Sequence, residues 1–311
     1  MPEWLIERGI GETRAVRIEG DAIVESRILL DGIMAAGTVL EARLKRAAVP
    51  AVAAADGQEY LLPKGAPGVT QGAAIRIEIA REAISGAEPW KRPLARLAGS
   101  AFEVAALADA AETAFPAPED RLEDAGWSDL LDEARSGIVR FAGGQLRLSP
   151  TPAMTLIDVD GHLPPPELAL AGAKAAARTI IRHGIGGSIG IDLPTLAGKA
   201  QRQPVGEAVD AILPQPFERT AVNGFGFLQI VRPRRHASLF ELAQDRAAFE
   251  ARALLRRAAR EQGSTRLVVH PAVAAFLQGK AEWLEMISRQ VGGAVTLRSD
   301  TSLPIHGGYA E

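Results

Sequence analysis

The sequence predicts a multidomain chain of mixed α+β and α/β class, with a small β-barrel set into its N-terminal part and a parallel βαβ unit near its centre. Three observations carry this. Short alternating runs broken by Gly, Pro and Asp turns fill the first hundred residues, the pattern of hairpins and a small barrel. Residues 154–193 read as strand, Ala-rich helix and Gly-bounded apolar strand, a crossover that makes its two strands parallel neighbours. From about residue 241, helices and strands alternate again, as in a small α/β domain.

In chain order, RAVRIEGDAIVESRILL is a pair of strands around the Glu19-Gly20-Asp21 turn, within a first segment of 1–36. Residues 37–98 hold further short strands, with turns at Asp56-Gly57 and Lys64 to Gly68. Ile75, Ile77 and Ile79 face one way, while Arg76, Glu78 and Arg81 or their neighbours face solvent, and we read the segment as an OB-fold. Residues 99–150 begin with an Ala-rich helix, break at Pro116-Ala117-Pro118, continue as a second helix and end in two strands around a Gly-Gly turn. Residues 151–240 contain the βαβ unit, a helical stretch and the strand GFGFLQIVR. Residues 241–311 form the terminal domain, in which Arg252, Arg256, Arg257 and Arg260 read as an exposed helix face balanced by Glu250 and Glu261.

With 311 residues, 47% hydrophobic and 23% charged, the chain reads as soluble and globular, and a net charge of −3 gives no global attraction to nucleic acid. The absence of cysteine removes disulfides, thiol catalysis and Cys-type zinc sites. The N-terminal stretch lacks the apolar core of a signal peptide and no run is long enough to span a bilayer, so a cytoplasmic protein without membrane partners is expected.

The stretch TLIDVDGHL, residues 155–163, ends an apolar strand with two acids. Strand side chains alternate, so Asp158 and Asp160 share a face. The second strand of the βαβ unit ends in Asp192, and neighbouring strands would gather all three acids at the carboxyl edge of one sheet, where open α/β sheets bind ligands. Converging carboxylates raise one another's pKa, and a hard divalent cation relieves the conflict. Such an ion stabilises charge on a phosphodiester and activates water. Asp160-Gly161 is equally a common turn pair, and a strand-ending Asp often caps a helix.

AMTLIDVDG, AARTIIRHGIGGSIGIDL and GFGFLQIVRPRR, in that order, resemble the catalytic core of the ribonuclease E/G family, and ETRAVRIEGDAIVESRI resembles its opening hairpin. The resemblance implies an RNase H-like and DNase I-like core, an inserted OB-fold at 37–98 and a small C-terminal domain, as in the shorter ribonuclease G-like members. It matches Asp158 and Asp192 to the family's magnesium-binding aspartates and places Asp160 where the family usually has asparagine. Arg178 matches the helix arginine, and Phe225 and Gly226 match the Phe-Gly pair. The helix motif with Asn and Glu is replaced by LALAGA, the 5′-monophosphate sensor is cut away, and the two-cysteine zinc link is missing. Zinc is therefore not expected, and a homodimer formed without it stays open.

The resemblance implies an Mg²⁺-dependent endoribonuclease, with Mn²⁺ as alternative metal, acting on single-stranded RNA; Asp158 and Asp192 would hold the metal, with Asp160 assisting by ligation or by orienting the water. Candidate RNA contacts are Lys45, Arg46, Tyr60, Lys64, Lys91 and Arg92 on the barrel, with Trp90 at its exit. Further candidates are Arg178 and Arg182, which with Lys174 recur every four residues on one helix face, and the cluster Arg232, Arg234 and Arg235. The rival readings are a catalytically altered RNA-binding protein of the same descent and another Mg²⁺ enzyme acting on a small phosphate substrate.

Overall fold

The computed structural model describes residues 4–84, 91–99 and 111–311. β1 (Trp4–Arg8), β2 (Glu12–Glu19) and β3 (Ala22–Leu30) form an antiparallel meander, with the hairpin between β2 and β3 where the sequence predicts it. β4 (Val39–Arg46), β5 (Ala51–Ala55), β6 (Gln58–Leu62), β7 (Ala74–Arg81) and β8 (Leu94–Leu97) close into a barrel in the order β4-β5-β6-β8-β7. Ile75, Ile77 and Ile79 fill its core, as their alternation requires. Glu78, expected in solvent, is buried instead, because Arg96 grips it in a two-bond fork of 3.0 and 2.6 Å.

The chain then returns to the first sheet. β9 (Ala111–Thr113) runs parallel beside β1, giving the order β3-β2-β1-β9. The Ala-rich pattern predicts helix here, but partners on β1 override a weak propensity. The rest of that predicted helix, and Trp90, lie outside the described residues. The second helix forms in two pieces, α1 (Arg121–Asp124), whose N-cap Asp120 accepts from Glu123 N, and α2 (Trp127–Ser136).

The central sheet comprises β10 (Ile138–Phe141), β11 (Gly144–Pro150), β12 (Thr155–Gly161), β13 (Gly187–Asp192), β14 (Glu218–Arg219) and β15 (Phe227–Arg232), ordered β10-β11-β12-β13-β15-β14. β12 and β13 are parallel, joined by α3 (Pro165–Arg182), and α4 (Lys199–Asp210) follows β13. Leu146, Leu148, Ile157, Val159, Ile189, Ile191, Leu228 and Ile230 point to one face and are buried in a core shared with the first sheet, α2 and α3. Gly172 lets α3 sit directly on β12, because a Cβ there would strike the Val159 side chain. The opposite face of the sheet carries exposed residues, Arg147, Leu156, Asp158, Asp160, Asp192 and Val231 among them.

α5 (Leu239–Leu242), held by a Ser238/Glu241 capping box, leads to α6 (Arg246–Ala258). β16 (Thr265–Val269), α7 (Pro271–Gln278), α8 (Ala281–Val291), β17 (Val295–Ser299) and β18 (Tyr309–Ala310) complete the terminal unit, its sheet ordered β17-β16-β18. Among the described residues no helix is long and apolar enough to cross a membrane.

Of the expected exposed arginine face of α6, Arg257 is exposed, but the rest is corrected by the structure. Arg252 and Arg256 are buried, and so is Glu250, which pairs with Arg135. Glu7 accepts from Arg14 Nε at 2.6 Å and Arg256 Nε at 2.9 Å, Glu12 accepts from Arg14 Nη1 at 2.8 Å and Arg252 Nε at 3.1 Å, and Asp120 accepts from Arg256 Nη2 at 2.6 Å. The hydrogen bond from Arg256 holds the Asp120 carboxyl below its ordinary range against the opposing effect of burial. This network ties β1 and β2 to α6, so the terminal unit is locked to the first sheet by charges that have left water together. Replacing Glu7 with Gln strips the charge facing two buried guanidiniums. We expect a loss of about 3–5 kcal/mol in urea denaturation, against less than about 1 kcal/mol for Glu112→Gln in the exposed pair with Arg8.

Candidate functional site

One row of residues crosses the open face of the central sheet. Arg147 of β11 pairs with Asp158 of β12, Asp158 with Asp192 of β13, and Asp192 with Phe227 of β15. Neighbouring strands lie about 4.8 Å apart, so the Asp158 and Asp192 carboxylates stand side by side. The sequence folds this way because Ile157 and Val159 go to the core on either side of Asp158, and the period of two then sends the acid to solvent. Asp160 shares the face, across from Gln145, with Arg147 Nε at 3.4 Å from its carboxylate.

The electrostatics follow from the row. Asp158 has its pKa raised, by partial desolvation first and then by the charges of Asp160 and Asp192, with Arg147 working the other way. One arginine thus faces three acids. Among the described residues no group of three or more His, Cys, Asp or Glu side chains converges closely enough to cage a metal. The two opposed carboxylates fit a smaller demand: Mg²⁺ binds through one or two carboxylates, with waters and phosphate oxygens filling its remaining positions.

Beside the acids, Asn223 pins a turn. Asn223 Oδ1 accepts from Phe225 N at 2.9 Å and Phe227 N at 3.0 Å, and Thr195 Oγ1 donates to Phe225 O at 3.5 Å. Gly226 takes φ of 92°, and a Cβ there would strike the Leu193 carbonyl, so only glycine lets the turn close against the strand end that carries Asp192. Phe225 is left 84% exposed on this pinned turn. Its signal in the sequence is Asn-Gly-Phe-Gly, an aromatic at the tip of a turn.

The predicted aromatic contact is corrected. Tyr60 is 2% exposed and belongs to the barrel core, so its ring has no free face for a base. Lys45, Arg46, Lys64 and Arg92 are exposed on the barrel, with Arg92 3.1 Å from Glu59, and Lys91 is half-buried.

The other predicted cations do not converge on the acids. Lys174 and Arg178 are exposed on α3, which covers the face of the sheet opposite the carboxylates. Arg182 is paired with Glu133 at 2.9 Å. Arg232 lies opposite Gly187 while Phe227 lies opposite Asp192, so the arginine cluster is at the far end of the strands, about 16 Å away at 3.3 Å per residue. Arg234 there is bound to Glu241.

No protein-family model matches the chain, and no curated protein sequence matches it.

The raised pKa of Asp158 gives a test of sign. Ionising a carboxyl whose folded pKa is raised costs stability, a cost absent below the unfolded value near 3.9 and complete once pH exceeds the folded value. Asp158→Asn removes it. Without divalent cations at pH 7 the variant is expected to melt at or above the parent temperature, and the two should converge at acid pH. A lower melting temperature at pH 7 would contradict this electrostatic reading.

Proposed function

We propose that the chain is a divalent-cation-dependent endoribonuclease that hydrolyses phosphodiesters of single-stranded RNA, in the manner of the ribonuclease E/G family its motifs resemble. The observation that carries this reading is the register that sets Asp158 beside Asp192 on an open sheet face. Asp158 and Asp192 are the residues that would hold Mg²⁺, or Mn²⁺. When bound, the ion supplies charge neutralisation at the phosphate and a lowered pKa for water. Asp160, two residues further along β12 on the same face and 3.4 Å from Arg147 Nε, would assist by ligation or by orienting the attacking water. The Phe225 ring, exposed on a rigid turn, stacks on a base next to the scissile phosphate, a sequence-tolerant contact suited to single strands.

The barrel supports an RNA ligand. Its strand order is that of an OB-fold, whose second and third strands and flanking loops bind oligonucleotides. Lys45 and Arg46 end the first barrel strand, Lys64 follows the third, and Lys91 and Arg92 precede the last, so the cations flank that surface. The first sheet, antiparallel but for β9, supports the RNase H-like reading, and the six-stranded sheet with its acid-bearing βαβ unit supports the DNase I-like one.

A second reading, RNA binding without cleavage, draws on the absence of a three-ligand cage among the described residues and on the diversion of Asp160 to Arg147. End-labelled unstructured RNA incubated with Mg²⁺ separates the two. Cleavage at internal positions, lost by about 10³-fold or more in Asp192→Asn, is expected from the electrostatic role. Phe225→Ala should raise KM by about tenfold, the worth of one stacked base, whereas Tyr60→Phe should leave KM unchanged. RNA that is bound but left intact by the parent protein would favour the second reading.

A further inference from the structure

A cavity of about 710 Å³ opens between the first sheet, the barrel and the end of the central sheet remote from the acids. Arg27, Arg96, Arg232, Arg235 and His236 line it, with Trp4 on one wall. The acids of this region are largely engaged by other arginines: Glu78 is forked by Arg96, Glu82 is bound by Arg27 and by Ala36 N, and Glu25 lies 3.3 Å from Arg17. Arg232 is left in surplus. Its Nε meets no acceptor of the protein, and its Nη1 makes only a 3.4 Å contact with Ile185 O. Burial lowers its pKa and Glu25, which also lines the cavity, opposes that shift, so its charge is only partly compensated within the protein. The same excess of positive charge acts on His236. Burial first, then Arg27 and its neighbours, hold the imidazole near 4, so it is neutral at pH 7, with Nδ1 bonded to Ala237 O at 3.0 Å.

A lone phosphate ion would leave most of this volume empty, whereas pockets of this size take drug-sized ligands. An indole and a guanidinium lining one cavity offer a base platform and a phosphate fork. We propose that this cavity is a nucleotide-phosphate site, separate from the acidic row, in which Arg232 grips the phosphate and Trp4 packs on the base. The choice of a nucleotide over other phosphates rests on the RNA reading above. The ligand is either a free nucleotide or one unit of an RNA chain.

The test is calorimetric titration of the full chain with adenosine 5′-monophosphate, with inorganic phosphate and with a short unstructured RNA. The monophosphate should bind more tightly than inorganic phosphate. Arg232→Gln and Trp4→Leu should each weaken it by about tenfold, and Arg232→Lys, which keeps the charge but loses the fork, by less. Asp158→Asn should leave monophosphate binding unchanged. If Arg232→Gln weakens RNA as well as the monophosphate, the site takes a unit of the polymer; if it weakens the monophosphate alone, the site takes a free nucleotide. Melting curves confirm that each variant is folded, and removal of a desolvated cation should not lower the melting temperature. Equal affinity of the parent and Arg232→Gln for both ligands, or no saturable binding of either, overturns the proposal. The cleavage reading fails on a different result, an Asp158→Asn variant that still cuts RNA.

Discussion

The candidate site depends on one register, that of β12 against β13. The crossover through α3 makes the strands parallel, and the close seat of α3 on β12, permitted at Gly172, holds the βαβ unit together. Because Ile157, Val159, Ile189 and Ile191 must all reach the same core, the strands cannot slip by one residue without exposing that set. The hydrophobic core therefore fixes the position of two residues that take no part in it. Asp158 and Asp192 face each other because their apolar neighbours are satisfied on the other side.

The same strands separate charge along their length. Acids collect where β13 ends, and arginines collect where it begins, near Gly187. The barrel is attached at the arginine end: Glu82, just past β7, binds Arg27 and Ala36 N through its side chain and Arg235 O through its backbone N–H. A polyanion drawn to the barrel and the arginine pole would be repelled by the bare carboxylates at the other, unless a divalent cation changes the sign there. Under the proposed function, metal loading at the acids would therefore favour substrate binding.

Much of this was legible in the sequence, and what was not has physical causes. The period-two pattern of TLIDVDG and the crossover were enough to put the acids on one edge, because burial enforces alternation. The fate of Tyr60 could not be read, because a tyrosine in a barrel strand fits the inner or the outer face equally well and closure decides which. The arginines of α6 looked like a solvated stripe because their partners, Glu7, Glu12 and Asp120, lie far away in sequence on β1, β2 and the approach to α1. The stripe on α3 was visible, but only the packing shows that it lies across the sheet from the acids. Ala111–Thr113 reads as helix by composition and becomes strand because β1 offers it an edge.

Crystals soaked in Mn²⁺ and measured at the manganese absorption edge address the central claim most directly. An anomalous peak between the Asp158 and Asp192 carboxylates that disappears in Asp192→Asn is the expected result. A peak elsewhere, or none at a concentration that supports RNA cleavage, would contradict it.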